Sequence, residues 1–194
     1  MQACHLRAQD LSCRRGERIL FKGLGFSLSA GDAIQIAGTN GIGKSSLIRI
    51  LAGLLRPFSG TVASEGIIGL VDERPALDPH QPLGKALELW AGIDGHGADD
   101  AVLETLGLHR LLDVPVRYLS TGQRKRAALA RLLGQRAAIW LLDEPLNGLD
   151  VHAVTMVEAL VQDHCAAGGI ALVASHQSIT LPQGQRLELR DYAA

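Results

Sequence analysis

Residues 33–55 read AIQIAGTNGIGKSSLIRILAGLL, and this stretch decides the fold. An apolar run, Ala33 to Ala37, suits a buried strand. It meets a glycine-rich turn and then an apolar-periodic helix, Lys44 to Leu55, which Arg56-Pro57 ends. Within it, Gly38, Thr39, Asn40, Gly41, Ile42, Gly43, Lys44 and Ser45 match G-x-x-x-x-G-K-[ST] at every fixed position. Glycines let the backbone wrap a phosphate so that successive N–H groups point at it, and the start of the helix adds its dipole. The pattern assigns Lys44 to the β- and γ-phosphates and the Ser45 hydroxyl to Mg²⁺. Ser46 completes the candidate nucleotide-binding set.

Working outward, further buried strands are expected at Ile67 to Val71, Ala138 to Leu142 and Ile170 to Ala174, with a helix at Val151 to Ala166 before the last. Strands separated by helices imply a parallel core sheet, so the fold class is α/β. The N-terminal part reads differently. Leu6 to Ser12 and Gly25 to Ser29, with turns at Arg14 to Glu17 and Ala30 to Asp32, suit an antiparallel β edge. From Pro82 to Val116 the pattern is short helices, with Leu83, Ala86, Leu87 and Trp90 on one face and Val102, Leu103 and Leu106 on the next. Together with the basic helix that follows, this gives a small helical subdomain over about residues 82–135 of one domain spanning 1–194.

Chain-wide properties narrow the function. The chain has 194 residues, with 19 Lys plus Arg against 20 Asp plus Glu, so no global field draws in nucleic acid. No apolar run reaches the roughly 20 residues that span a bilayer, and MQACHLRAQD lacks the apolar core of a signal peptide. Cys4, Cys13 and Cys165 show no metal-ligand spacing and are read as inert thiols.

AIWLLDEP ends a buried strand in two carboxylates, which is costly unless a cation or reacting group sits there. Asp143 is placed to join Ser45 in the Mg²⁺ shell, and Glu144 to polarise a water for attack on the γ-phosphate. The stretch YLSTGQRKRAALARLL, Tyr118 to Leu133, poses a separate question. Ser120 and Gln123 form an S-x-x-Q capping box and Gly122 keeps the first turn clear, so the tip of this helix is an anion site.

With the phosphate loop before it and LLDEP after it, LSTGQ resembles the signature of ABC-type ATPases, with Thr121 in place of a glycine. The resemblance implies that two such domains stack head to tail. Ser120, Thr121, Gly122 and Gln123 would then cap ATP held by a second copy's phosphate loop, while the arginines form the helix's solvated sides. It also implies that His176 is the switch residue on the γ-phosphate, and that Asp150 in Leu146-Asn147-Gly148-Leu149-Asp150 bridges the two subunits. Asp150 reads equally as the cap of the next helix. Two departures stand out. The aromatic platform for adenine is replaced near Cys13 to Gly16 by Arg14 and Arg15, and the expected loop glutamine is absent after Val71, where Glu73, Arg74 or the more distant Gln81 could serve.

The form most similar is the small ATP-binding subunit of haem exporters in cytochrome c maturation, through ERILFKGLGFSLSAGDAIQIAGTNGIGKSSL, RKRAALARLL and His176-Gln177. This implies ATP hydrolysis coupled to polytopic membrane subunits at the cytoplasmic face of the inner membrane, with no nucleic-acid partner. The alternative is a soluble ABC-type ATPase of an assembly machine such as iron–sulfur cluster biogenesis.

Overall fold

A computed structural model describes residues 4–193. Strands β1 (His5–Arg15) and β2 (Arg18–Ser29) form an antiparallel hairpin, and β4 (Ser59–Glu65) pairs with the other side of β1. These strands are longer than their apolar cores suggested, because the hairpin continues past its buried positions to the turn at Gly16.

The second sheet is parallel. Its order is β5 (Ile68–Val71), β6 (Ile139–Asp143), β7 (Ile170–Ala174), β3 (Ala33–Ala37) and β8 (Gln185–Glu188). Every residue of β3, β6 and β7 is buried, as expected for central strands covered on both faces.

Alternation along these strands divides the core. Ile34, Ile36, Ile139, Leu141, Ile170 and Leu172 face the antiparallel sheet and α1 (Lys44–Leu51). Trp140, Leu142, Ala171 and Val173 face the opposite cluster, with α2 (Leu83–Asp94), α4 (Thr121–Gln135) and α5 (Val151–Ala166). There His164 of α5 lies flat on Trp140, ring centroids 3.9 Å apart. A short helix α3 (Asp100–Thr105), capped by Asp99, packs on α4.

The arginines of α4 do not form solvated sides. Arg131 lies over the Trp90 ring, 3.6 Å from its centroid, joining α4 to α2. Arg124 donates to the Leu119 carbonyl at 2.8 Å and Arg126 to the Leu106 carbonyl at 2.9 Å, while Lys125 is buried. Long basic side chains lay their apolar stems on the core and give their charged ends to orphan carbonyls or a ring face. The charge of this helix therefore fastens the helical segments to one another.

Candidate functional site

The parallel arrangement carries the carboxyl ends of β3, β6 and β7 to one edge, and the chemistry gathers there. The loop leaving β3 turns through glycines with positive φ. Gly38 is at 151° and Gly43 at 121°. A Cβ on Gly38 would sit 2.9 Å from Ile42 Cγ2, and one on Gly43 3.2 Å from Leu20 Cβ, so neither place admits a side chain without displacement. Gly43 also begins α1 with no side-chain cap, which leaves the first helical N–H groups free to take an anion.

Lys44, the first residue of α1, turns back over this loop. Its ammonium donates to the carbonyls of Gly38 at 2.8 Å and Thr39 at 3.3 Å and lies 3.0 Å from Glu144 Oε1. The other Glu144 oxygen is 2.9 Å from His176 Nδ1. Glu144 follows β6 directly, and its N–H still bonds the Ala174 carbonyl of β7 at 2.8 Å. Its φ of 48° lies in the left-handed region and swings the side chain across to the phosphate loop. His176 is held by β3 in turn, since buried Gln35 donates to the Gln177 carbonyl at 2.7 Å.

Asp143 ends β6 in a buried position, and burial raises its pKa above the ordinary carboxylate value, a shift that a hydrogen bond with Ser45 opposes. Its Oδ1 is buried without a hydrogen-bond partner. An orphaned carboxylate oxygen beside a serine hydroxyl suits Mg²⁺, a hard cation that takes few protein oxygens and completes its shell with phosphate and water. Ser46 instead lies beside the Cys13 thiol, where it opposes the rise that burial gives the thiol's pKa.

Gly38, Thr39, Asn40 and Ile42 line a cavity of about 590 Å³ together with His176 and with Arg186, Glu188 and Arg190. Sequence reading passed over these last three. Their signal is the alternation in Gln185-Arg186-Leu187-Glu188-Leu189-Arg190, where two leucines separate charged residues.

The other expected residues lie elsewhere. Ser120 and Gly122 line a separate cavity of about 520 Å³ with Gly148, Leu149 and Asp150. The capping box is formed: Gln123 N–H donates to Ser120 Oγ at 3.2 Å, and Ser120 N–H to Gln123 Oε1 at 2.8 Å. Thr121 begins the helix and is exposed. A Cβ on Gly122 would sit 2.9 Å from the Gly148 carbonyl oxygen, which ties this tip to the loop at residues 146–150. Asp150 caps α5 through the Ala153 N–H at 2.8 Å.

Of the substitutes for the loop glutamine, Glu73 acts on both Asp143 and Lys125, whereas Gln81 is exposed and its carbonyl accepts from Val116 N–H. Lys125 was also missed. Its ammonium donates to the carbonyls of Asp143 at 3.2 Å and Asp72 at 3.4 Å, and burial lowers its pKa. Arg14 lies over the Phe58 ring at 4.7 Å.

Comparison with known proteins agrees with this geometry. The ABC transporter family matches residues 21–147. A cytochrome c biogenesis ATP-binding export protein CcmA from Novosphingobium aromaticivorans is 57% identical over 192 residues, covering 99% of each chain. Its counterpart in Zymomonas mobilis is 50% identical, covering 99% of this chain and 86% of that one. A solved ATP binding subunit of an ABC transporter shares the fold with a TM-score of 0.77 at 24% identity, over 88% of this chain and 79% of the other. Among the described residues no helix is long and apolar enough to cross a membrane. With a family match over most of its length and relatives at 57% and 50% identity that cover 99% of it, the chain belongs to the ABC transporter family and, within it, to the cytochrome c biogenesis ATP-binding export proteins.

Proposed function

We propose that this chain hydrolyses Mg-ATP to drive the membrane subunits of a haem exporter in cytochrome c maturation. The observation that carries the chemistry is the convergence of Lys44 and His176 on the two oxygens of Glu144, over the loop at residues 38–45. The loop N–H groups and the start of α1 receive the phosphates of ATP, and Lys44 passes from Glu144 to the β- and γ-phosphate oxygens. Ser45 and Asp143 would hold Mg²⁺, which supplies charge neutralisation on the phosphates. Glu144 orients a water and takes its proton as the oxygen bonds to the γ-phosphorus. The bond from that phosphorus to the β,γ-bridging oxygen breaks, leaving ADP and phosphate. His176 keeps Glu144 aimed through Nδ1 and turns its other ring edge to the γ-phosphate.

Ser120, Thr121, Gly122 and Gln123 serve a second copy. Two of these residues line a different cavity from that of Lys44, which supports a site completed between two head-to-tail subunits, most simply a homodimer. That the relatives are export proteins supports polytopic membrane partners and a peripheral place on the cytoplasmic face of the inner membrane. The test is purification of the tagged chain from detergent-solubilised membranes, with ATP turnover measured. Recovery with polytopic partners that stimulate turnover is expected. Recovery only from the soluble fraction, with iron–sulfur scaffold proteins, would replace the exporter by an assembly ATPase.

A further inference from the structure

The cavity beside the phosphate loop has two ends. His176 follows β7, on one side of β3, and Arg186, Glu188 and Arg190 belong to β8 and the turn after it, on the other side. Neighbouring strands lie about 4.8 Å apart, so crossing from β7 over β3 to β8 spans roughly 10 Å. That matches the reach from a γ-phosphate to the ribose of the same nucleotide. Glu188 pairs with Ala37, the residue before Gly38, and a Cβ on Gly38 would sit 3.7 Å from Leu189 Cβ. The turn Leu189–Tyr192 also packs on β2. It therefore lies between the N-terminal hairpin and the phosphate loop.

The chemistry of this end differs from that of the other. Glu188 is flanked by Arg186 at 2.8 Å and Arg190 at 3.8 Å, and Arg190 also lies 3.8 Å from Asp191. A carboxylate repels phosphate oxygens but accepts hydrogen bonds from hydroxyls, and its arginines offset its charge toward a nearby triphosphate. Arg14, one candidate to carry the base, is engaged with Phe58, whereas the side chain of Arg190 is 73% exposed at the cavity.

We infer that Glu188 accepts hydrogen bonds from the ribose hydroxyls of the nucleotide and that Arg190 lies against its base, so that β8 makes the site selective for ribonucleotides. This rests on the reading of residues 38–45 as the phosphate site. The test is equilibrium binding of Mg-ATP, Mg-2′,3′-dideoxy-ATP and Mg-tripolyphosphate to the wild-type chain and to Glu188→Ala, Glu188→Gln and Arg190→Ala. The wild type should prefer ATP to the dideoxy analogue by about tenfold, the scale of hydrogen bonds to a charged group. Glu188→Ala should lose that preference yet hold tripolyphosphate at least as tightly as before, because its arginines are released. Glu188→Gln keeps the bulk against β3 and should lose much of the preference, so it reads the same effect if the alanine variant folds poorly. Arg190→Ala should weaken both nucleotides by more than it weakens tripolyphosphate, which loses only the charge that offsets Glu188. Wild-type indifference to the ribose hydroxyls, or equal losses for ATP and tripolyphosphate in Arg190→Ala, would overturn the inference. Failure of the phosphate site itself would show separately, as unchanged tripolyphosphate affinity in Lys44→Ala.

Discussion

Lys44 Nζ stands 3.0 Å from Glu144 Oε1, with only 4% and 9% of the two side chains exposed. One ammonium is thus shared between the phosphate loop and the acid that follows β6. Removing one member of a buried pair strands the other charge. Lys44→Ala is therefore expected to lose most ATP binding. Measured without nucleotide, it should also lose about 1–3 kcal/mol of stability, less than a fully orphaned charge because His176 still bonds Glu144. The double variant Lys44→Ala/Glu144→Gln should recover part of that loss in thermal denaturation.

Glu144→Gln keeps the size of the side chain and removes the charge that takes the proton from water. Mg-ATP should bind almost normally while turnover falls by about two orders of magnitude or more. ATP left unhydrolysed should then hold two chains together, and size exclusion should give a dimer that disperses in ADP. Near-normal turnover would reassign the base, and lost turnover without a dimer would count against the head-to-tail site.

Neither arginine platform carries a base-specific hydrogen-bonding edge, since a guanidinium stacks on any base. Discrimination between ATP and GTP should stay within about tenfold, or roughly 1.4 kcal/mol. Parallel titrations decide it, and a larger preference would require a group that reads the base edge.

Burial on Trp140 lowers the pKa of His164 below its ordinary 6.5. The unfolded chain therefore binds more protons than the folded one as the pH falls through about 6.5, and stability should drop on acidification. Melting temperatures taken from about pH 7.5 down to about pH 5.5 should fall less steeply in His164→Phe, which keeps the stacked ring without the titrating nitrogen.

The legible parts of the fold were central strands buried on both faces and a helix with one apolar stripe. Ile170–Ala174 and Val151–Ala166 stand where the apolar pattern put them. Strands β4 and β8 went unread because SGTVASE and QRLE carry no apolar run; they are sheet edges, held mainly by backbone pairing on one side. At the site, local spacing pointed to Lys44, Asp143 and Glu144. The roles of Lys125, Arg186, Glu188 and Arg190 depend on which strand ends meet, and charge alone suggests a solvated face. The basic helix was misjudged for that reason, since its cations end on carbonyls and a ring that are distant in sequence or hidden within the turn.

The backbone at Glu144 bears on how this protein can change. A non-glycine residue held at a φ of 48° costs of order 1 kcal/mol, and it does so whether or not any reaction takes place. Glycine would relieve that conformation but would strand the buried Lys44 ammonium, a larger cost than the strain it removes. The strained acid is therefore locked in by its own partner, so that a search for heat resistance and a search for turnover both keep glutamate at position 144. The strain can be shed only if position 44 changes with it, and that change also gives up the cation aimed at the phosphates.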